Sequence, residues 1–333
     1  MKILFCGVGS IGQRHIKNLR DLYGNECSIM SFRSNTYRNE VDHFLSSNNV
    51  KVYFNENEAY AKNPDIVFVT NPTFLHYRTI KQAINHNCHV FVEKPICLNL
   101  NEIIDLDKSN QKKKLVVFIG YCLRYNKLIK SLKNKIEKNV LGKLYTIDIN
   151  FSSYLPELHP WRDYKNIYRN KKENGGDVIY EFSHELDYMF WIFGKPLKIN
   201  AKFGQLGSFE SDVDDFFSGL VEMESSAILQ ITLSYLSIKP KRYCRIVGEK
   251  GVAELDLIKN SLKIFDLSGN QIFLYKPNNF ETNKMYIDEV KDYIDCVKNN
   301  LPSPINLDQS KDIIKFIDLA KKASKEDKAV SWS

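Results

Sequence analysis

Three groups of residues in this 333-residue chain carry side chains that could do chemistry together. The first centres on Lys94. The run His89-Val90-Phe91-Val92 is short, apolar and β-rich, as a strand buried on both faces would be, and it stops at Glu93-Lys94-Pro95. Proline cannot donate to a sheet ladder and pushes the residue before it out of helical geometry, so the strand ends there and Lys94 sits at its carboxyl edge. In open parallel α/β sheets that edge is where ligands bind. A partly desolvated ammonium there is suited to exchanging a proton near neutrality. The alternative is a surface lysine that merely follows a strand.

The second group is a glycine turn. Ile3-Leu4-Phe5-Cys6 reads as a strand, Gly7-Val8-Gly9-Ser10-Ile11-Gly12 follows at once, and Ile16, Leu19 and Leu22 then keep helical spacing. Strand, G-x-G-x-x-G and helix, in that order, make a dinucleotide-binding turn. Gly7 permits the tight turn, Gly9 lets the backbone approach a pyrophosphate, and Gly12 allows close helix packing. Gly7, Gly9, Ser10, Ile11 and Gly12 are therefore candidate cofactor contacts. The second strand would end in an acid if it gripped the ribose 2′-hydroxyl of NAD. It ends instead in Ser31-Phe32-Arg33-Ser34. An arginine between hydroxyls suits a 2′-phosphate, so Arg33 and Ser34 favour NADP(H), with NAD(H) as the second choice.

The third group follows Gly175-Gly176. Ile179, Phe182, Leu186, Met189 and Phe193 form the core stripe of a helix of about 17 residues. On another face stand Tyr180, His184 and Asp187, at i, i+4 and i+7, with Glu181 beside them. A phenol, an imidazole and carboxylates on one helical surface can hold a hydroxylated ligand and take its proton, and Asp187 could orient the ring. A lone helical histidine is more commonly structural. Upstream, the aromatic and basic run 159–169 contains Trp161, Arg162 and Tyr164. Rings against a sugar face and a guanidinium on a carboxylate or phosphate would suit an anionic, polyhydroxylated ligand. The alternative is a loop packed by its own rings.

These groups need a frame to position them. Apolar runs at 65–70, 89–93 and 115–120 alternate with helical spacing, which makes a doubly wound parallel α/β sheet of about 120 residues. Beyond it, 144–151, 216–223, 228–234 and 243–247 alternate as half-buried strands, the antiparallel part of a large sheet. Amphipathic helices at 287–299 and 308–322 close the chain. The expected division is a dinucleotide-binding domain over 1–120 and a substrate-binding and oligomerisation domain over 121–333.

Composition narrows the function classes. With 43% hydrophobic and 26% charged residues the chain has the balance of a globular protein. Its net charge of +7 is scattered, and the one dense run, Lys112-Lys113-Lys114, falls at a helix-to-strand turn without interleaved aromatics, which argues against nucleic acid. Seven cysteines without a C-x-x-C pair suit a reducing compartment. The apolar run before Gly7 is too short for a signal-peptide core, and no run approaches the roughly 20 residues of a membrane helix. The expectation is a cytoplasmic, soluble protein with no membrane partner. His86 and His89 straddle a helix end and a strand start, so no metal site is expected.

The glycine turn followed by Arg14-His15, the Thr70-Asn71-Pro72…His76 turn, Glu93-Lys94-Pro95, Gly120-Tyr121-Cys122-Leu123-Arg124-Tyr125, Gly175-Gly176 with His184 and Asp187, and Gly248-Glu249-Lys250-Gly251 occur in this order. Together they resemble the hallmarks of the Gfo/Idh/MocA oxidoreductases. The resemblance implies an N-terminal Rossmann domain and a C-terminal α/β domain with a large open mixed, mostly antiparallel sheet. It implies that Lys94 serves catalysis beside the nicotinamide, preceding a proline that is commonly cis. It adds Thr70, Asn71, Pro72, His76 and Glu93 to the cofactor site and Arg124 to the substrate side. It further implies pairing through the outer sheet face into homodimers or homotetramers. One departure stands out: many members place an aspartate four residues before the histidine, where this chain has Tyr180, with Glu181 three before it. The run Glu181 to Asp187 is similar to a branch associated with surface-sugar and nonulosonic-acid metabolism.

The chemistry implied is reversible hydride transfer between NADP(H), or NAD(H), and a secondary alcohol of a sugar-like substrate. His184 or Lys94 would accept the hydroxyl proton while the other polarises the oxygen. Two rival readings keep the fold: a non-catalytic, NADP-responsive binding or regulatory protein, and a dehydrogenase of a non-sugar substrate.

Overall fold

The apolar runs of the first third become strands of one parallel sheet. The computed structural model describes residues 1–33, 39–158, 160, 163–167, 170–277 and 281–332. The strands are β1 (Lys2–Cys6), β2 (Ser28–Phe32), β3 (Lys51–Tyr53), β4 (Ile66–Val69), β5 (His89–Glu93) and β6 (Val117–Gly120), in the order β3-β2-β1-β4-β5-β6. All neighbouring pairs run parallel. Between them lie α1 (Ser10–Tyr23), α2 (Asn39–Ser47), α3 (Glu56–Tyr60), α4 (His76–Asn85) and α5 (Leu100–Gln111). Every residue of β4 and β6 is buried, as helices on both faces of a parallel sheet require. The strand order reverses between β1 and β4, the topological switch point at whose carboxyl ends such sheets bind ligands.

The second sheet is mixed. Helix α6 (Lys127–Glu137), capped by the Asn126 side chain, leads into β7 (Leu144–Tyr154), and α7 (Val178–Glu181) and α8 (Ser183–Phe193) follow. Then come β8 (Pro196–Gly204), β9 (Phe216–Met223), β10 (Ile228–Ser234), β11 (Leu236–Gly248), β12 (Gly251–Asp256), β13 (Ser261–Phe265) and β14 (Gln271–Tyr275). Helices α9 (Thr282–Lys298) and α10 (Leu307–Glu326) and a last short strand, β15 (Val330–Ser331), end the chain. The nine strands lie in the order β14-β13-β12-β11-β7-β10-β9-β8-β15. Pairing is antiparallel throughout except between β7 and β10. Alternation puts Ile147, Ile149, Leu229, Ile231, Cys244 and Ile246 on the buried face. All seven cysteines are buried free thiols. No helix among the described residues is long and apolar enough to cross a membrane.

The chain forms two compact units, and the expected boundary at residue 120 needs one correction. The first unit is Met1–Cys122 together with Thr282–Lys311, and the second is Leu123–Glu281 with Asp312–Ser333. The return of 282–311 has a physical cause. Phe5, Phe68, Phe91 and Phe118 occupy registered positions on β1, β4, β5 and β6 and stack side by side, with centroids 4.7, 4.8 and 5.6 Å apart. Tyr293 of α9 meets this ladder edge-on at 5.8, 5.5 and 5.5 Å from Phe68, Phe91 and Phe118. Its ring completes the core, while its hydroxyl is buried with no hydrogen-bond partner among the described residues. Replacing Tyr293 by Phe should therefore leave the thermal midpoint unchanged or raise it, since an orphaned buried hydroxyl costs about 1 kcal/mol or more. Calorimetry showing a marked drop would mean the hydroxyl is engaged after all.

Candidate active site

In the first unit the glycine turn has the shape its sequence requires. Gly7 has φ +104°, and a Cβ there would lie 2.4 Å from the Asn71 nitrogen. At Gly12 a Cβ would lie 2.5 Å from the Gly7 carbonyl oxygen. Gly9 is different: a Cβ there meets nothing within 4 Å, and no side chain caps α1, which carries no acid in its first turn. The turn is thus closed where helix meets strand and open at the helix N-terminus, with its N–H groups and positive dipole end unclaimed by side chains. A pyrophosphate fits that opening. Ser10 and Ile11 form its rim, in the first turn of α1.

The other expected cofactor residues lie at the carboxyl ends of neighbouring strands. Thr70, just past β4, donates from Oγ1 to the Gly7 carbonyl at 2.6 Å. Asn71 donates from Nδ2 to Thr79 Oγ1 at 2.8 Å, and Pro72 opens a short turn into α4. Glu93 ends β5, Lys94 is half-buried, and the Lys94–Pro95 bond is cis. Arg33 follows β2, its N–H held by the Tyr53 carbonyl at 3.1 Å and its guanidinium paired with Asp42 of α2. Asp42 was not anticipated; it lies nine residues further along and supplies an acid at the strand end where sequence offered none. Ser34 lies outside the described residues.

His76, expected at the cofactor, is 1% exposed, with Nδ1 2.9 Å from the Pro95 carbonyl oxygen and Nε2 2.8 Å from that of Asn71. Burial pushes its pKa below the ordinary value, against the pull of the two carbonyls and Glu93.

In the second unit the expected single helix after Gly175-Gly176 is two. Phe182 separates α7 from α8 with φ −96° and ψ 25°, because its ring stacks on Phe151 at 3.9 Å and meets Tyr235 edge-on at 5.2 Å. Tyr180, His184 and Asp187 consequently do not share one continuous helical face. Tyr180 is buried, with Lys321 4.6 Å above its ring. His184 and Glu181 are half-buried.

Asp187 and Arg124, both expected on the substrate side, pair with one another. Arg124 Nε lies 3.1 and 2.9 Å from the two Asp187 oxygens and Nη2 lies 2.7 Å from Oδ1, with both side chains buried. Burial pushes the Asp187 carboxyl up, and the guanidinium opposes it. Both Asp187 oxygens accept from this guanidinium. One residue before Leu186, Glu185 is likewise buried and bidentate with Arg242, at 2.6 and 3.1 Å. Charged residues on either side of Leu186, inside an apolar helix, were the available signal for such pairs. Tyr164 is half-buried, edge-on to Phe209 at 5.9 Å. Trp161 and Arg162 lie outside the described residues. No group of three or more His, Cys, Asp or Glu side chains among the described residues is arranged to hold a metal ion.

Residues 1–121 match the family model described as "Oxidoreductase family, NAD-binding Rossmann fold", and residues 129–254 match the GFO/IDH/MocA C-terminal domain. The chain belongs to the Gfo/Idh/MocA oxidoreductase family. Among relatives in this family, the myo-inositol 2-dehydrogenase of Thermotoga maritima is 22% identical over 99% of this chain and 98% of its own length. The 2,7-anhydro-N-acetylneuraminate hydratase of Escherichia coli is 23% identical over 59% of this chain and 53% of its own. The chain thus spans about half the length of several curated relatives it matches. A solved levoglucosan dehydrogenase, in complex with NADH and levoglucosan, superposes with a TM-score of 0.87 at 13% identity, covering 99% of both chains. At that identity the likeness is one of fold.

The Arg124–Asp187 pair yields a stability test. Asp187→Ala should cost about 3–5 kcal/mol by removing the carboxylate from a buried guanidinium, whereas Arg124→Met with Asp187→Leu should recover most of that loss. Denaturant melts reading the two variants as equal would refute a desolvated pair.

Proposed function

We propose that this chain catalyses reversible hydride transfer between a nicotinamide dinucleotide and a secondary alcohol or ketone of a sugar-like, anionic substrate. The observation that carries the reading is the level arrangement of the glycine turn, Thr70, Glu93 and Lys94 at the carboxyl edge of one parallel sheet. Gly7, Gly9 and the α1 N-terminus hold the pyrophosphate. The bound dinucleotide supplies the hydride acceptor or donor. Lys94 hydrogen-bonds the reacting oxygen and polarises it, and His184 takes the hydroxyl proton at an imidazole nitrogen. Glu181, Tyr164, Trp161 and Arg162 orient the substrate. Inositol, levoglucosan and 2,7-anhydro-N-acetylneuraminate, named for the compared proteins, are all polyhydroxylated rings. That common chemistry supports a sugar derivative, and the anhydro-neuraminate relative supports nonulosonic-acid metabolism among the routes it could serve. The protein acts as a cytoplasmic homodimer or homotetramer, paired through the open sheet face that carries the exposed Leu220 and Ile228.

For the cofactor, Arg33 at the end of β2 supports NADP(H), and the Asp42 carboxylate beside it preserves use of NAD(H). Arg33→Asp should move the ratio of kcat/KM for NADP(H) over NAD(H) toward NAD(H) by about tenfold or more, some 1.4 kcal/mol. Asp42→Asn should move it the other way. A ratio indifferent to both changes would remove Arg33 from the site.

The central test is Lys94→Ala, assayed by cofactor absorbance against inositols, anhydrosugars, nucleotide sugars and nonulosonic acids. Turnover should disappear while cofactor affinity stays within several-fold of wild type, and His184→Ala should lose about 10²–10⁴-fold in kcat. Full activity in Lys94→Ala would sink the reading.

A further inference from the structure

Lys94 stands between Glu93 and Pro95, and a buried histidine holds each of these neighbours. His15 is fully buried and places Nε2 2.7 Å from Glu93 Oε1. Its ring is boxed in by Phe91 at 4.9 Å, Phe68 at 5.7 Å and Tyr286 at 6.0 Å, and its Nδ1 is buried without a hydrogen bond. His76 reaches the Pro95 carbonyl at 2.9 Å on the other side. The two imidazoles belong to different helices: His15 to α1, which follows the glycine turn, and His76 to α4, whose ring also meets the Asn71 carbonyl at 2.8 Å. The turn that carries Lys94 is thereby tied to both segments that flank the switch point. A Cβ on Gly120 would meet the Phe91 ring at 3.3 Å and the Glu93 carboxyl at 3.4 Å, so this glycine packs closely against both.

An imidazole with an orphaned nitrogen is a costly filling for an aromatic cage, about 1–3 kcal/mol for the unsatisfied group. A phenyl ring would pack there without that loss. The hydrogen bond to Glu93 is the one polar interaction of the ring among the described residues, and it accounts for the residue type. We propose that His15 and His76 are positioning residues for Lys94, fixing its two neighbours and so its placement against the cofactor-binding turns. Displacement of a catalytic group by about 1 Å can cost 10²-fold in rate, so the brace acts on kcat rather than on cofactor affinity. The inference rests on Lys94 taking part in the reaction.

The test compares His15→Phe, which fills the cage without a donor, with His15→Gln, which keeps one. In the protein without cofactor, reductive ¹³C-methylation gives Lys94 an NMR signal, assigned by its loss in Lys94→Arg. That signal should shift in His15→Phe and return toward its wild-type position in His15→Gln. With the best sugar of the panel above, His15→Phe should lose about 10- to 100-fold in kcat. Its NADP(H) Kd should stay within about threefold and its Tm should fall only modestly, because losing the orphaned Nδ1 offsets part of the cost of leaving Glu93 without its partner. His76→Gln, still able to donate to one carbonyl, should lose less kcat than His76→Leu. An unmoved Lys94 signal, wild-type kcat in His15→Phe, or equal losses of kcat, Tm and cofactor affinity in both His15 variants would each overturn the brace. Lys94→Ala run in parallel separates the two failures: if it is active the catalytic reading falls, and if it is inactive beside a fully active His15→Phe only the brace falls.

Discussion

The register of four parallel strands is the constraint on which the cofactor half depends. Phe5, Phe68, Phe91 and Phe118 pair across β1, β4, β5 and β6, and each is fully buried. Burying one phenylalanine is worth about 1.5–3 kcal/mol, and each stacked pair adds roughly 0.5–1.5 kcal/mol. A one-residue slip of any of these strands would turn its ring to the other face of the sheet. The same register sets the functional edge. Cys6 pairs with Val69, Val69 with Val92 and Glu93 with Gly120, so Gly7, Thr70, Glu93 and Gly120 come out level. Core and site are fixed by one pairing scheme.

The second unit is held by a different kind of force around α8. Glu185 and Asp187 leave the helix as buried carboxylates, one to Arg242 of β11 and the other to Arg124. Such pairs add little net stability, because desolvation offsets their attraction, but breaking either is expensive. Their geometric effect is firmer than their energetic one. Two bidentate contacts set the rotation of α8 about its axis, and with it the direction in which His184 can point.

Most of the frame was legible because its signals are local. Period-2 runs, a glycine turn at the end of a strand and a proline after Lys94 each act within a few residues of themselves. What escaped was decided by distant partners. Helical spacing continues through Phe182 with neither glycine nor proline to mark a break, and only the rings of Phe151 and Tyr235 explain why the helix divides there. The apolar face of α9 declared that the helix was amphipathic but not which core it would cover; Tyr293 against the phenylalanine ladder decides that. Asp187 was read as a ligand contact because its partner Arg124 is 63 positions away in the chain. Asp42 escaped for a related reason, since nine residues separate it from the arginine it meets across the end of β2.

Tyr180 shows how a departure from a family pattern can be absorbed. An aspartate at this position would be buried and would require a cation. Lys321, whose ammonium faces the Tyr180 ring, is 2.8 Å from Asp177 Oδ2, and Asp177 also accepts the Asp214 N–H at 3.0 Å. The acid is therefore present one helical turn earlier, already paired, and Tyr180 offers the same ammonium its ring face at 4.6 Å. A second carboxylate at 180 would share one lysine with Asp177, an arrangement that raises a carboxyl pKa instead of creating an anionic contact. Glu181, half-buried where Asp177 is fully buried, is then the carboxylate of this segment with surface open to solvent.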